Sequence, residues 1–310
     1  MSKFVKLMHP RTISYDEFQK KLPKLLASND YSMEEDIDGV RHQILIDDVG
    51  NIKFAFKDGV TKHTTDFRNK FKHLVTQIQS MKLPNNTLLE GNLFFSGGFA
   101  KLMRIINSDI HIALMEQIKV KVDFICTDLV FLNNESIHEF TLFERREILE
   151  DIFSTQELEN IHLLDTYTKN KESVYKKIMT DNECSMGVVF KLNVPYHFGI
   201  TMKVIKYRKE GIIDVVIMDI IEGQGKFANM AGSIIIGVLN NEKLERVGTV
   251  DTMTESQRRN FFNNKQKYIH NVITVRVYTY ADNGQITSSF VSLQDKKNIE
   301  DCKFEFKKFI

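Results

Sequence analysis

Residues 34–46, EEDIDGVRHQILI, set Asp36, Asp38, Gly39 and Arg41 at the mouth of an apolar strand. Carboxylates and a guanidinium this close together can serve a phosphorylated ligand. They can equally make an ordinary Asp-Gly turn whose charges pair with one another. More acids and bases recur in strand-like surroundings at Glu90, Asp128, Lys191, Lys206 and Arg208. Other chemistry has less support. His42, His63, His73, His111 and His138 are scattered, and no two histidines stand at the i, i+2 or i, i+4 spacing of a metal site. Cys126, Cys184 and Cys302 share no ligand-like spacing and suggest neither a zinc site nor a disulfide framework. The aromatic residues, rich in phenylalanine and without tryptophan, read as core.

A second group could hold phosphate without reacting with it. Between Lys53 and Lys82, seven Lys/Arg (53, 57, 62, 68, 70, 72, 82) face two acids (58, 66), a local charge of +5. Within it Lys57, Lys62, Arg68, Lys70 and Lys72 are candidates, and Arg68 and Lys72 share a helix face at four-residue spacing. Further cationic sets are Lys203, Lys206, Arg208 and Lys209, then Arg258, Arg259, Lys265 and Lys267. Such patches neutralise backbone phosphates without reading sequence, although each is equally a solvated face of a near-neutral protein.

These residues need elements to position them. Phe18, Leu22 and Leu25–Leu26 fall at helical spacing within residues 10–27. Residues 39–59 read as a β-hairpin around Asp-Asp-Val-Gly-Asn, and 66–82 as an amphipathic helix with Asp66 at its start. Strands follow at 88–95 and 119–132, then a helix at 141–153. Beyond residue 185, Val/Ile-rich runs at 188–192, 212–221, 233–239 and 272–280 surround a short helix at 255–264. That pattern suits a small β-barrel of the OB type. The charged stretch KYRKEG marks a boundary near residue 208, giving a mixed α and β domain over 1–208 and a β domain over 209–310.

Composition sets the outer limits. With 310 residues, 36.1 kDa and 42% hydrophobic residues, the chain supports one or two domains and a sizeable core. Forty-two Lys+Arg against 41 Asp+Glu give +1, which excludes a uniformly basic nucleic-acid coat. No apolar run approaches the roughly 18 residues of a membrane span, and MSKFVKLMHPRT carries no apolar signal segment. An intracellular protein without a membrane partner is the expectation.

Taken in order, the segments resemble the ATP-dependent DNA ligases of the covalent nucleotidyltransferase superfamily. DIDGVR (36–41) is similar to the signature Lys-x-Asp-Gly-x-Arg. LLEGNLFF (88–95) resembles the family's Leu-Asp-Gly-Glu strand, and TDLVFLNNESI (127–137) its Phe-Asp-Leu-x-Tyr-Leu-Asn-Gly segment. FERREILEDIF (143–153) looks like the helix that follows it. MGVVFK (186–191) resembles Glu-Gly-x-x-x-Lys, and KYR (206–208) the Lys-x-Lys before the barrel. EGQGKFANMAGSIIIGV (222–238), RVGTVDTMTESQRR (246–259) and LQDKK (293–297) resemble the barrel pattern. Capping guanylyltransferases share the first signatures, but EGQGKF and ESQRR favour a DNA ligase. The resemblance covers roughly residues 30–297. It implies an α+β fold: a nucleotidyltransferase (ATP-grasp-like ligase adenylation) domain followed by a β-barrel OB-fold domain.

The departures lie in the implied pocket. The family's first-signature lysine attacks the α-phosphorus of ATP and keeps AMP as a phosphoramidate. Here that position is Asp36. A carboxylate would give a hydrolysis-prone mixed anhydride and would repel a triphosphate. Two like charges about 4 Å apart cost roughly 4 kcal/mol at an effective dielectric of about 20. Metal-associated carboxylates become Asn92 and Met186, the adenine-stacking aromatic becomes Thr127, and the barrel arginine for pyrophosphate becomes Leu293. Lys57 stands where the family has an arginine after the hairpin. Asp38, Gly39, Arg41, Glu90, Asp128, Lys191 and Lys206 match, with Arg208 a conservative departure. The expected protein is a ligase relative without adenylation or a required cofactor, acting in DNA replication, repair or recombination. It would hold duplex or nicked DNA, or a replication or repair protein. Two alternatives stand beside it: a working polynucleotide ligase that uses ATP and Mg2+, and a protein-interaction scaffold without DNA contact.

Overall fold

The structure, a computed structural model, describes residues 4–13, 15–56, 58, 65–180, 185–208, 211–240, 243–280, 286–294 and 297–302. The chain divides into two compact units, Met1–Arg208 and Lys209–Ile310. Strands are β1 (His9–Thr12), β2 (Tyr31–Ile37), β3 (Val40–Ile46), β4 (Ile52–Phe56), β5 (Thr87–Phe94), β6 (Asp123–Phe131), β7 (Ile161–Leu163), β8 (Thr166–Tyr167), β9 (Ser185–Leu192), β10 (Ile200–Arg208), β11 (Gly211–Glu222), β12 (Ala231–Asn240), β13 (Lys243–Thr252), β14 (Val272–Tyr280) and β15 (Ile286–Leu293). Helices are α1 (Tyr15–Ala27), α2 (Thr65–Lys70), α3 (Lys72–Ser80), α4 (Phe99–Asn107), α5 (Ile110–Glu116), α6 (Leu142–Ser154), α7 (Lys171–Thr180), α8 (Glu255–Asn263) and α9 (Lys265–Tyr268).

The first unit holds two five-stranded sheets, ordered β1-β10-β9-β2-β8 and β4-β3-β5-β6-β7. Strand side chains alternate between faces, and here both faces of the central strands are covered. On β3, Ile44 and Ile46 join the core that includes Phe67, Phe71, Leu74, Leu102 and Ile105, whereas Leu45 turns the other way. Leu45, Leu88 and Val130 of one sheet meet Leu7, Met8 and Val204 in a second core between the sheets. Phe18, Met33, Val188, Phe190, Ile205 and Tyr207 form a third core with α1 and α7.

The 66–82 segment departs from a single helix. It breaks at Phe71, whose backbone leaves the helical region (φ −117°, ψ 39°) while its ring is fully buried, so α2 and α3 are separate pieces. α4 and α5, with no counterpart in the sequence reading, bury Leu102, Ile105, Ile106 and Ala113 on the same core.

The β3–β4 hairpin is fastened by Asp47. Its carboxylate accepts from the Asn51 amide (2.7 Å) and the Val49 amide (3.1 Å), and pairs with Lys53 (2.7 Å). Burial opposes ionisation, but Lys53 and the Asn51 and Val49 donors outweigh it and hold the pKa at about 2. A depressed carboxylate adds stability above its unfolded pKa and loses it as pH falls through the folded one. Asp47→Ala is expected to cost about 1–2 kcal/mol at pH 7 in urea denaturation, discounted for half-exposed Lys53. That deficit should shrink between about pH 4 and pH 2; a deficit that stays constant across this window rules out the ionised turn as its source.

The second unit is a barrel that closes in the order β11-β12-β13-β15-β14, with β13 and β15 parallel and the other pairs antiparallel. Val215, Ile217, Ile234, Ile236, Val250, Ile273 and Val275 fill it. Thr254 starts α8 with a capping box to Gln257, and Phe261 on that helix packs into the barrel core.

Candidate functional site

The period-two alternation that buries Leu45, Leu88 and Val130 between the sheets carries Arg41, Glu90, Asn92 and Asp128 on the same strands. In the other sheet the same logic groups Ser32, Glu34 and Asp36 on β2, Lys191 on β9, and Lys206 and Arg208 on β10. Asp36, Glu34, Glu90 and Asp128 are each buried. Their charges are matched by bases in a set of close pairs.

Asp36 accepts a hydrogen bond from Lys206 Nζ at 2.6 Å on one oxygen and from Arg208 Nε at 2.9 Å on the other. Burial lowers the Lys206 pKa, neighbouring Arg208 and Arg41 push the same way, and the Asp36 carboxylate opposes them. Glu34, which sequence reasoning did not single out, pairs with Lys191 Nζ at 2.7 Å and accepts from Thr166 Oγ1 at 3.3 Å. Arg41 forms an ion pair with Glu90 and donates to the Met8 carbonyl at 2.8 Å. Glu90 also accepts from the Tyr196 phenol at 2.6 Å, and burial raises that phenol's pKa. Thr127 Oγ1 donates to the Glu90 backbone carbonyl at 3.3 Å.

Asp128 faces Arg145 of α6 in a bidentate pair, Nε–Oδ1 2.8 Å and Nη2–Oδ2 2.9 Å. Arg145 is fully buried, donates to the Phe140 carbonyl at 2.7 Å and lies 5.4 Å from the Tyr196 ring centroid. Sequence reasoning missed it, although its position between Leu142 and Leu149 on the buried stripe of α6 is the signal.

Two glycines of the quoted segments are required by close approach. A Cβ on Gly39 would lie 2.5 Å from the Leu93 carbonyl oxygen, and one on Gly187 would lie 2.1 Å from that of Tyr207. Beside Gly39, Asp38 is hard to ionise: burial raises its pKa, and Asp36 adds to this against the pull of Arg208 and Lys206.

The remaining candidates fall into three groups. Asn92 pairs across β5 with Arg41 and Ile125 in the ladders, and Leu293 packs against the core of the barrel unit. Lys57, Lys62 and the Met186 side chain lie outside the described residues. Of the cations, Lys72 and Lys203 are exposed, Arg68 is half-buried, and Arg259 is exposed in an i, i+4 pair with Glu255.

Lys70 and Arg258 correct the expectation of surface phosphate ligands. Lys70 is buried and donates to the Ile106 carbonyl at 2.8 Å and to that of Ser108, closing the end of α4. Arg258 is buried over the Phe227 ring at 4.1 Å and donates to the Ala231 and Gly232 carbonyls at 2.7 Å each and to Asp251. Among the described residues no three His, Cys, Asp or Glu side chains converge on a metal position.

No protein-family model matches the chain, and no curated protein matches it. Solved structures do, and they define the class: the chain has the nucleotidyltransferase fold of ATP-dependent DNA ligases. A Lig E DNA ligase, studied for DNA binding with a minimal scaffold, aligns at 17% identity and TM-score 0.63, over 86% of this chain and 93% of that one. The ligase domain of M. tuberculosis LigD aligns at 17% and 0.52, over 97% and 98%. Pmar-Lig_PreS3 aligns at 14% and 0.69, over 92% and 67%. At these identities the likeness is one of fold.

Proposed function

We propose that this is a DNA-binding ligase relative that does not adenylate itself, acting beside replication, repair or recombination proteins. The observation that carries the reading is the pairing of Asp36 with Lys206 and Arg208. In a working pocket a lysine stands at that position, and the two cations face the phosphates of ATP. Here a fixed carboxylate already pairs with both and puts its own negative charge between them, so the residues present do not fit a triphosphate. Glu34 does the same to Lys191, and Glu90 to Arg41. Asn92 supplies no carboxylate for magnesium. No step is therefore assigned to ATP or a metal in this pocket. Incubation with α-labelled ATP and Mg2+ should leave the protein unlabelled; a covalent AMP adduct would establish a working ligase.

The same reading treats the barrel unit as an OB-type module and the two units as the adenylation-type and OB domains of a ligase. The retained ligase fold and the exposed cations support DNA as the partner. With Lys70 and Arg258 assigned to structural contacts, the binding set becomes Lys57, Lys62, Arg68, Lys72, Lys203 and Arg259. If roughly four phosphates are neutralised, duplex affinity should fall about a hundredfold between 50 and 200 mM salt. Lys72→Glu with Lys203→Glu should flatten that slope. Micromolar protein that shifts no duplex at low salt would discard DNA and favour a protein-interaction scaffold.

A further inference from the structure

Aromatic side chains on a soluble domain are mostly buried, and several are not buried here. Phe140 and Phe198 are 43% and 41% exposed, and Ile200 and Met202, on the strand that follows Phe198, are more exposed still. Phe198 packs against His138, and Phe140 ends the short turn that carries that histidine. The Phe198 ring centroid is 5.1 Å from that of His138 and 5.4 Å from that of Tyr196, and His138 is 6.0 Å from Phe131. The His138 carbonyl accepts the Tyr196 amide at 2.8 Å, which fixes the 137–140 turn against the 196–199 segment. His138 Nδ1 is buried and has no hydrogen-bond partner among the described residues.

Cations border this cluster. The Lys6 side chain passes within 4 Å of the position a Cβ would take on Gly199, next to Phe198. Arg11 Nη1 reaches Met202 Sδ at 3.1 Å, and both Lys6 and Arg11 are exposed. Glu139 is exposed on the histidine's own turn, so a polyanion is favoured on the Lys6 and Arg11 side.

An exposed π-face beside a fixed imidazole, with ammonium and guanidinium groups at its border, has the chemistry of single-strand recognition: bases stack on rings while cations follow the backbone. An apolar partner surface would have no use for the exposed cations at the border. We propose that Phe198, Phe140 and the His138 ring form a stacking platform for an unpaired nucleobase, with Lys6 and Arg11 taking the adjacent phosphates. The proposal rests on the DNA-binding reading and narrows it to strands with an unstacked base, as at a gap or flap.

The test uses the full chain with an oligothymidylate, with a fully paired duplex, and with the same duplex carrying an unpaired iodouracil. Phe198→Leu keeps apolar bulk and removes the ring, whereas Phe198→Tyr keeps the ring. Leucine should weaken oligothymidylate binding by roughly 5- to 100-fold, tyrosine should preserve it, and irradiation should crosslink the iodouracil to Phe198, Phe140 or His138. Phe140→Leu is the second variant and should weaken binding in the same direction. Unchanged binding in both leucine variants, or a crosslink mapped elsewhere, overturns the platform. If the paired duplex still binds with its salt slope in that case, only the platform falls. If neither nucleic acid binds, the DNA-binding reading falls with it.

Discussion

Replacing Arg145 with methionine is expected to lower the unfolding free energy by about 3–5 kcal/mol, the usual cost of stripping one partner from a buried ion pair. Asp128 is 3% exposed, and among the described residues its remaining support is the Leu129 amide at 2.9 Å and the charge of nearby Lys191. Removing the guanidinium also frees the Phe140 carbonyl and withdraws the cation from the Tyr196 ring. Urea denaturation gives the measure, as a shift in midpoint at unchanged slope. Asp128→Leu with Arg145→Met removes both charges together and should recover most of the loss, because an apolar pair of similar size is often as stable as a buried salt bridge. An acid titration supplies a second check. Burial pushes the Asp128 pKa up, but Arg145 outweighs it and holds the carboxyl below its ordinary range. The pair's stabilisation is therefore complete at neutral pH and lost below about pH 4, as the carboxyl takes up its proton. A midpoint unmoved by Arg145→Met would show that the pair contributes nothing.

Asp36→Lys should produce no adenylate and a less stable protein. The substitution exchanges two attractive pairs for two repulsions, with Lys206 and Arg208 side chains only about a quarter to a third exposed. We expect a loss of about 3 kcal/mol, scaled down from the dry-pocket value for this exposure, or a melting temperature lower by roughly 6–12 °C. Asp38 offers a poor replacement carboxylate because burial already disfavours its charge. Inorganic pyrophosphate should return part of the loss by mass action, since it binds the folded cluster of cations better than the unfolded chain. Efficient labelling by α-labelled ATP in this single variant would contradict the account of the pocket.

The strands that carry the site were legible because apolar runs are a local property: Ile44–Ile46 marks β3, Leu88–Leu89 marks β5 and Leu129–Phe131 marks β6. The matched residues Arg41, Glu90, Asp128, Lys191, Lys206 and Arg208 followed from their order. Their partners did not. Glu34, Tyr196 and Arg145 reach their contacts only through sheet pairing and helix docking, and nothing in their immediate neighbourhood specifies which opposite charge they meet. Counting cations failed for a related reason. Lys70 lies three residues after Phe67 on α2, and Arg258 three before Phe261 on α8, so each belongs to a buried helix stripe. A charge on such a stripe turns inward to carbonyls, and arithmetic over a window assigns it to the surface. The break at Phe71 was hidden because a helix-period pattern continues across it.

The fork from Lys206 and Arg208 to Asp36 also bears on how these three positions can change. A lysine there alone would leave three cations side by side with no carboxylate between them, and changes at the other pocket positions alone would leave the carboxylate in place. Under the proposed reading a nucleotide-binding pocket lies several coupled substitutions away, because the three side chains hold one another in place and none can be exchanged independently.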